Sequence, residues 1–473
     1  MNYKCVIGLE VHIELLTKSK IFCGCKTSFG ATQNTQCCPV CLGMPGALPS
    51  LNKKVVELGI KTAKALNCSI NNKIRFDRKN YFYPDLPKAY QISQRYSPLG
   101  YDGWVDIKTG QGEKKIKITE MHLEEDAGKL IHLENKTYID FNRCGVPLIE
   151  IVTAPDFENS EQVIAFLQKI KRDFEYLNVS DCKMQEGSMR VDVNLSLTKD
   201  GVMGKRTETK NLNSFKAIEK VIESEIKRQS ELLDNGQSVL QQTMRYDEAE
   251  QKVYPMRQKE NADDYKYFPD PDLPEVEISQ SEIDEIFSCF PILADKREQR
   301  YISCFNISKQ DASLLTQSII IADLFDSTEK ICNNALEVKN WILGPLLECV
   351  NDKNISVEDI KITPDSLSKI ITLVLEGKIS RQSAKLILSN SISDSHFDID
   401  RFVLDNNLIQ IDDVSVIEKA VKSVIEQNAN AVRQYKEGQT KVFGFLVGQS
   451  MKLLDGKGKI DTVNQVLKEY LLK

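Results

Sequence analysis

Between Val6 and Leu15 the chain reads VIGLEVHIEL, an alternation that few structures can accommodate. Successive side chains of a strand point to opposite faces. Ile7, Leu9, Val11, Ile13 and Leu15 therefore form one apolar face, while Glu10, His12 and Glu14 share the other. A strand covered on both sides would be apolar on both. This one predicts a sheet with its core on one side and two carboxylates around an imidazole on the other. Two later stretches have the character to join it: Lys117–Lys129 (KITEMHLEEDAGK) and Asn142–Val152 (NRCGVPLIEIV). One such strand alone reads as a solvated face. Three converging acidic stretches point instead to a hard-cation site of the kind used in phosphate chemistry.

Composition narrows the setting. A chain of 473 residues has room for about two to four domains, each with its own core. With 41% hydrophobic and 27% charged residues, global disorder is excluded. The net charge of −6 argues against a protein that coats nucleic acid over its whole surface, but leaves a local basic face open. No apolar run approaches membrane-spanning length, and Met1–Cys5 leads directly into the first strand, so neither a signal peptide nor a transit segment is expected. The thirteen cysteines are odd in number and dispersed, which suits reduced thiols in a cytoplasm better than a disulfide framework.

Four of these thiols have metal-site spacing. Cys23-x-Cys25 is followed by Cys38-x-x-Cys41, with glycines between that let the backbone turn sharply. Two thiolate pairs so placed can close a tetrahedral, structural zinc site with no open position. Cys37 competes with Cys38 as a ligand, and a set of small buried thiols is the alternative reading.

Further along, residues 52–67 predict an amphipathic helix capped by Asn52, and residues 216–235 predict another, with Ser214 at its start and Gly236 at its end. Arg75–Gln94 is dense in aromatics, cations and prolines, as is Asp263–Pro274. Such a rigid loop can stack on a base or grip phosphates, or cover an aromatic mini-core. From residue 100 to 155, and again over Val179–Leu197, short alternating strands are expected; Arg190, Asp192, Asn194 and Ser196 share a polar face there. Near residue 280 strand alternation gives way to helical spacing. Domain boundaries are expected near 293 and after Ser389–Asp400, giving domains over 1–293, 294–405 and 406–473. The last 46 residues carry eight Lys or Arg (433, 436, 441, 452, 457, 459, 468 and 473) against four acids, a locally basic module that reads either as a solvated face or as an RNA-binding one. No P-loop, Rossmann, zincin or nucleophile-elbow signature is present, nor the paired signatures of an aminoacyl-tRNA synthetase. Any nucleotide would have to be held by a metal and a sheet surface.

Taken together, VIGLEVHIEL (6–15), NTQCCPVCLGMPGALP (34–49), RKNYFYPDLPKAYQISQ (78–94), HLEEDAGK (122–129), PLIEIV (147–152), QEGSMRVDVN (185–194), KNLNSF (210–215), DDYKYFP (263–269) and GFLVGQSM (444–451) resemble the B subunits of bacterial aspartyl/glutamyl-tRNA amidotransferases. The resemblance spans essentially the whole chain. It implies an α+β fold: a cradle of antiparallel sheets and helices similar to the glutamine synthetase catalytic core, then a helical domain and a helical tail. It also implies a reaction in which ATP phosphorylates the side-chain carboxylate of Glu on tRNA-Gln, or Asp on tRNA-Asn, and ammonia displaces the phosphate. The family's A subunit supplies ammonia by hydrolysing glutamine, and a small C subunit clamps A to B.

Carried onto this sequence, the resemblance implies a magnesium held by Glu10, His12, Glu125 and Glu150, with Lys79, Tyr81, Asp85 and Lys88 as nucleotide or acceptor-end contacts. His is an uncommon magnesium ligand, so His12 acts through a water or marks a site that also takes manganese. Strand alternation groups His122, Glu124 and Asp126, which keeps Glu124 as a rival to Glu125. The cysteine quartet varies within the family, so its zinc is not essential to the shared chemistry. The tail departs from the family at Gly456–Thr462 (GKGKIDT), which lacks the expected proline.

Overall fold

β1 (Lys4–Glu14) lies at the middle of a large sheet, with its alternating faces as the sequence reads them. Ile7, Val11 and Ile13 have no exposed surface, and Leu9 and Leu15 almost none. The computed structural model describes residues 3–199, 202–247, 250, 252–258 and 262–472; for 211, 257, 258, 262 and 263 it describes the backbone only. Lys473 of the basic tail is thus outside the described residues, as is the side chain of Asp263.

After β1 come the cysteine-bearing loops and α1 (Lys53–Ala65), which Asn52 caps by accepting from the Lys54 N–H. The short strands β2 (Ser69–Ile70), β3 (Lys73–Ile74), β4 (Asp77–Asn80) and β5 (Tyr90–Ser93) follow. The hairpin β6 (Gly100–Thr109) and β7 (Gly112–Glu125) is long, and β8 (Lys129–Leu133) with β9 (Lys136–Asp140) makes a small one. Then come β10 (Pro147–Thr153), α2 (Ser160–Tyr176), β11 (Met189–Lys199), β12 (Val202–Met203) and β13 (Thr207–Leu212). α3 (Phe215–Asp234) starts at a Ser214 cap, and Gly236 takes the left-handed conformation just past its end, φ +73°. β14 (Gln242–Asp247), β15 (Lys252–Gln258), β16 (Phe268–Pro269), β17 (Val276–Glu277) and α4 (Gln280–Ser288) complete this part.

The large sheet runs β15-β14-β13-β11-β1-β10-β7-β6-β2. Its pairs are antiparallel except β13 with β14, which is parallel, so the expected antiparallel sheet is a mixed one. α1, α2 and α3 cover the apolar face through contacts on β7, β6 and β11. Their Val55, Leu58, Phe166, Phe174, Ile218 and Ile222 belong to one continuous core with the apolar residues of β1. Packing helices on one face leaves the opposite face free to carry charge.

The chain divides into two compact units, one up to Leu293 and one from Ala294. The second is helical and holds two buried clusters. One gathers around Tyr301, Phe325, Trp341 and Ile371, the other around Ile417, Val421, Leu446 and Leu467. No helix among the described residues is long and apolar enough to cross a membrane.

Candidate active site and metal centres

Register places the charged residues. His12 on β1 faces Glu150 on β10 and Arg190 on β11, and Glu150 faces His122 on β7. Arg190, His12, Glu150 and His122 therefore form a row across four strands, with directly opposite side chains on one face. Glu124, two residues beyond His122, shares that face. His12 Nε2 lies 3.5 Å from a Glu150 oxygen and 3.6 Å from a Glu124 oxygen, and His122 Nε2 lies 3.2 Å from Glu150 and 3.8 Å from Glu124.

Burial disfavours both imidazolium ions, yet the two carboxylates outweigh it: the pKa of His12 is raised and that of His122 is pushed up to about 10. Burial would raise the carboxyl of Glu150 too, but the two imidazoles hold it well below the usual range. His12, Glu124 and Glu150 each offer a ligand atom, all within 4.8 Å of one another. Ligands on an octahedral magnesium sit about 3 Å apart, so slight closure would seat an ion. Two carboxylate oxygens and one imidazole fit magnesium or manganese.

The expected metal set is thus divided. Glu125 is not brought to His12; its carboxylate takes two contacts from Lys88 Nζ, at 2.5 and 2.6 Å, and one from the Ile92 N–H at 2.9 Å. The reason is the alternation itself: adjacent residues on β7 face opposite ways, so Glu125 points with Leu123 to the other side of the sheet. Glu124 is the β7 carboxylate that lies beside His12. Glu10 shares the polar face with His12 but gathers with Asp192 and Glu208 instead. Lys210 joins that group, 3.0 Å from Asp192 and 3.4 Å from Glu208, and Asn194 donates to Glu10 at 3.1 Å.

The four expected nucleotide or acceptor contacts also separate. Burial lowers and the charges of Tyr267, Glu124 and Glu150 raise the pKa of Lys79, with a net upward shift, and its ammonium lies 5.0 Å from the centre of the Tyr265 ring. Tyr81 stands edge-on to Tyr265, and its pKa is raised by burial against the pull of Lys79. Lys88 is committed to Glu125. Asp85 has a buried Oδ1 without a hydrogen-bond partner, and its main-chain carbonyl accepts from the Gly128 N–H at 2.9 Å. Arg190 and Asp126, not singled out from the sequence as site residues, form a paired contact at 3.2 and 2.7 Å beside the row. The polar face shared by Arg190 and Asp192, and the alternation that groups Asp126 with His122 and Glu124, were the signals that could have found them.

The cysteine quartet comes together. Sulfurs of Cys23, Cys25, Cys38 and Cys41 lie within 4.8 Å of one another, and Cys38 and Cys41 are 3.9 Å apart. Thiolates on a tetrahedral zinc sit about 3.8 Å apart, so the set fits that ion. Cys37 is outside it, with its thiol 3.9 Å from Asn142 Oδ1. The Cys38 N–H donates to Cys41 Sγ at 3.2 Å, and a hydrogen bond from Cys23 is the main cause that lowers the Cys41 thiol to about 4.

With this geometry in hand, comparison with known proteins is decisive. Residues 5–284 match the GatB/GatE catalytic domain and residues 323–471 match the GatB domain. The chain belongs to the GatB family. It is 47% identical over 475 residues to a protein of Lachnoclostridium phytofermentans, covering 100% of this chain and 99% of that one. It is 49% identical over 480 residues to one of Caldicellulosiruptor saccharolyticus and 46% over 474 residues to one of Clostridium novyi, each covered in full on both sides. All three relatives are named as the B subunit of an aspartyl/glutamyl-tRNA(Asn/Gln) amidotransferase. A GatB chain is an amidotransferase component, a part of a ligase.

Proposed function

We propose that this chain activates and amidates the side-chain carboxylate of Glu-tRNA(Gln), Asp-tRNA(Asn) or both, as the B subunit of a complex with a glutaminase A subunit and a small C subunit. The observation that carries it is the meeting of His12, Glu124 and Glu150 from three neighbouring strands, together with full-length similarity to relatives that bear that name. In this reading unit 1 is a cradle like the glutamine synthetase core. The two buried clusters of unit 2 support a helical domain to about 405 and a tRNA-binding tail from 406.

A carboxylate is a poor acyl donor because its oxide leaving group is strongly basic. The substrate carboxylate oxygen therefore attacks the γ-phosphorus of ATP, the bond to the bridging oxygen breaks, and ADP leaves. Ammonia then attacks the acyl carbon of the mixed anhydride, phosphate departs, and the surplus proton passes to solvent. Both steps need positioning and charge neutralisation more than a protein nucleophile.

A divalent cation held by His12, Glu124 and Glu150 would neutralise the phosphate oxygens. Lys79 supplies a second positive charge on the same side, since among the described residues no carboxylate occupies its ammonium at ion-pair distance. Arg190 is held rigid by Asp126 beside His12, where it limits the approach of the anionic substrate to one direction. Lys88 and Glu125, on the opposite side of the strand, act by bracing β5 against β7.

The test is the reconstituted three-subunit complex given ATP, glutamine and each mischarged tRNA in turn. ATP cleavage and amidation that depend on the mischarged tRNA are expected, and the two tRNA arms identify the substrate. Full tRNA binding with unchanged amidation in a Glu150→Gln complex would reduce the subunit to a scaffold.

A further inference from the structure

Lys20 has no exposed surface. Its main-chain N–H donates to the Cys25 carbonyl at 3.0 Å, within a turn closed by the bridge between Ser19 and Lys26. The side chain runs from this turn under the second cysteine pair. There Nζ lies 3.7 Å from Cys41 Sγ and 3.3 Å from the Phe141 carbonyl oxygen. Gly145, in the left-handed region at φ +82°, packs over the stem: a Cβ there would lie in ordinary contact, 3.5 Å from Lys20 Cδ and 3.6 Å from Cys41 Cβ. Among the described residues no carboxylate pairs with this ammonium.

A lysine is almost never fully buried unless an anion accompanies it, because an ammonium taken out of water loses its solvation. One carbonyl contact does not replace that loss. The remaining neighbour is the sulfur cluster, and four thiolates around one zinc ion carry two net negative charges. We propose that Lys20 is the buried counter-cation of a zinc tetrathiolate at Cys23, Cys25, Cys38 and Cys41. This rests on the zinc reading of the quartet and adds to it a residue that is not a ligand. The metal and the lysine then justify each other's burial. They also share a wall: Lys20, Cys41, Gly43, Lys88 and Glu125 line one cavity of about 210 Å³. Loss of zinc leaves an unpaired charge behind the Lys88–Glu125 pair and loosens that wall.

Full-length wild-type protein, Lys20→Met and Lys20→Arg are compared for zinc content, for zinc affinity against a competing chelator, and for the thiolate-to-metal absorption bands of the cobalt-substituted form. Lys20→Met is expected to lose about ten- to a hundredfold in zinc affinity, the range typical for residues that support metal ligands, while Lys20→Arg keeps most of it. A second readout reverses sign. In urea unfolding of the zinc-loaded chains Lys20→Met has the lower midpoint, whereas after chelation its midpoint equals or exceeds that of wild type, since no buried charge is stranded. Should Lys20→Met not fold, Lys20→Gln carries the same comparison. Equal zinc affinity in wild type and Lys20→Met, or an equal fall in midpoint with and without zinc, would reduce Lys20 to a packing residue. A wild-type chain without zinc and without cobalt bands would overturn the metal site, and the lysine's role with it.

Discussion

Glu124 and Glu125 are neighbours in sequence with different partners, and the difference is testable. Replacing Glu124 or Glu150 with Gln keeps shape but removes one negative charge beside His12 and His122. In the reconstituted complex, phosphate release from ATP and amidation should fall together by about a hundredfold, the cost of a small misplacement of reacting groups. Glutamine hydrolysis by the partner should persist. Ammonium chloride should give no rescue, because activation and not nitrogen supply is blocked. Glu125→Gln should act otherwise. It strands the ammonium of Lys88, whose side chain is nearly buried, and breaking such a pair costs on the order of 3 kcal/mol. A lower urea midpoint is expected, with ATP cleavage retained where the protein is folded. A loss of cleavage equal to that of Glu124→Gln in a fully folded Glu125→Gln complex would return Glu125 to the metal.

At the scale of elements, the cysteine knuckle is a turn that needs glycine. Gly43 sits at φ +64°, and a Cβ on it would lie 2.5 Å from Lys88 Cγ and 3.2 Å from Lys88 Cα. Gly43→Ala therefore meets a disfavoured backbone and a clash together, and should destabilise by about 1–3 kcal/mol in urea unfolding. Zinc should stay bound, since no ligand is touched. The double change Cys38→Ser, Cys41→Ser should instead abolish zinc, as read by elemental analysis of freshly purified, reduced protein. Metal retained at full content in that variant would exclude the quartet as its site. β7 shows the same dependence on element geometry: one strand delivers His122 and Glu124 to the polar face and Glu125 to the Lys88 side.

At the scale of the whole chain, the cations of the C-terminal helices divide into paired and unpaired ones. Lys459 is paired with Asp412, Arg433 with Glu437, and Lys468 lies over the Phe443 ring. Among the described residues Lys436, Lys441, Lys452 and Lys457 have no carboxylate partner at ion-pair distance. Changing these four to Ala should weaken tRNA binding and reduce the salt dependence of its affinity by about one unit of slope for each phosphate no longer neutralised. ATP cleavage should survive at saturating tRNA. Unchanged affinity across several salt concentrations would count against the tail as the tRNA-binding module.

How much of this was legible beforehand follows from the range of the forces involved. Strand periodicity is local, so VIGLEVHIEL by itself determined that Ile7, Val11 and Ile13 go to the core and that Glu10, His12 and Glu14 share the other face. Helix caps are equally local, and Asn52 and Ser214 cap the helices they were expected to cap. The paired cysteine spacing limited the quartet to a short loop region before any contact was known. Partner choice within a face is different, because it is set by register between strands, those paired with β1 lying over a hundred residues from it. Only the pairing of β1 with β10 and β11, and of β10 with β7, decided that His12 meets Glu150 and Glu124 while Glu10 meets Asp192 and Glu208. Resemblance carried Glu125 into the expected metal set and alternation kept Glu124 open; the packed strands put Glu124 beside His12 and Glu125 beside Lys88. The burial of Lys20 has no local signal at all. It depends on the chain folding back so that Cys41, Phe141 and Gly145 close over one lysine, and side chains that distant in sequence are brought together only by the packed fold.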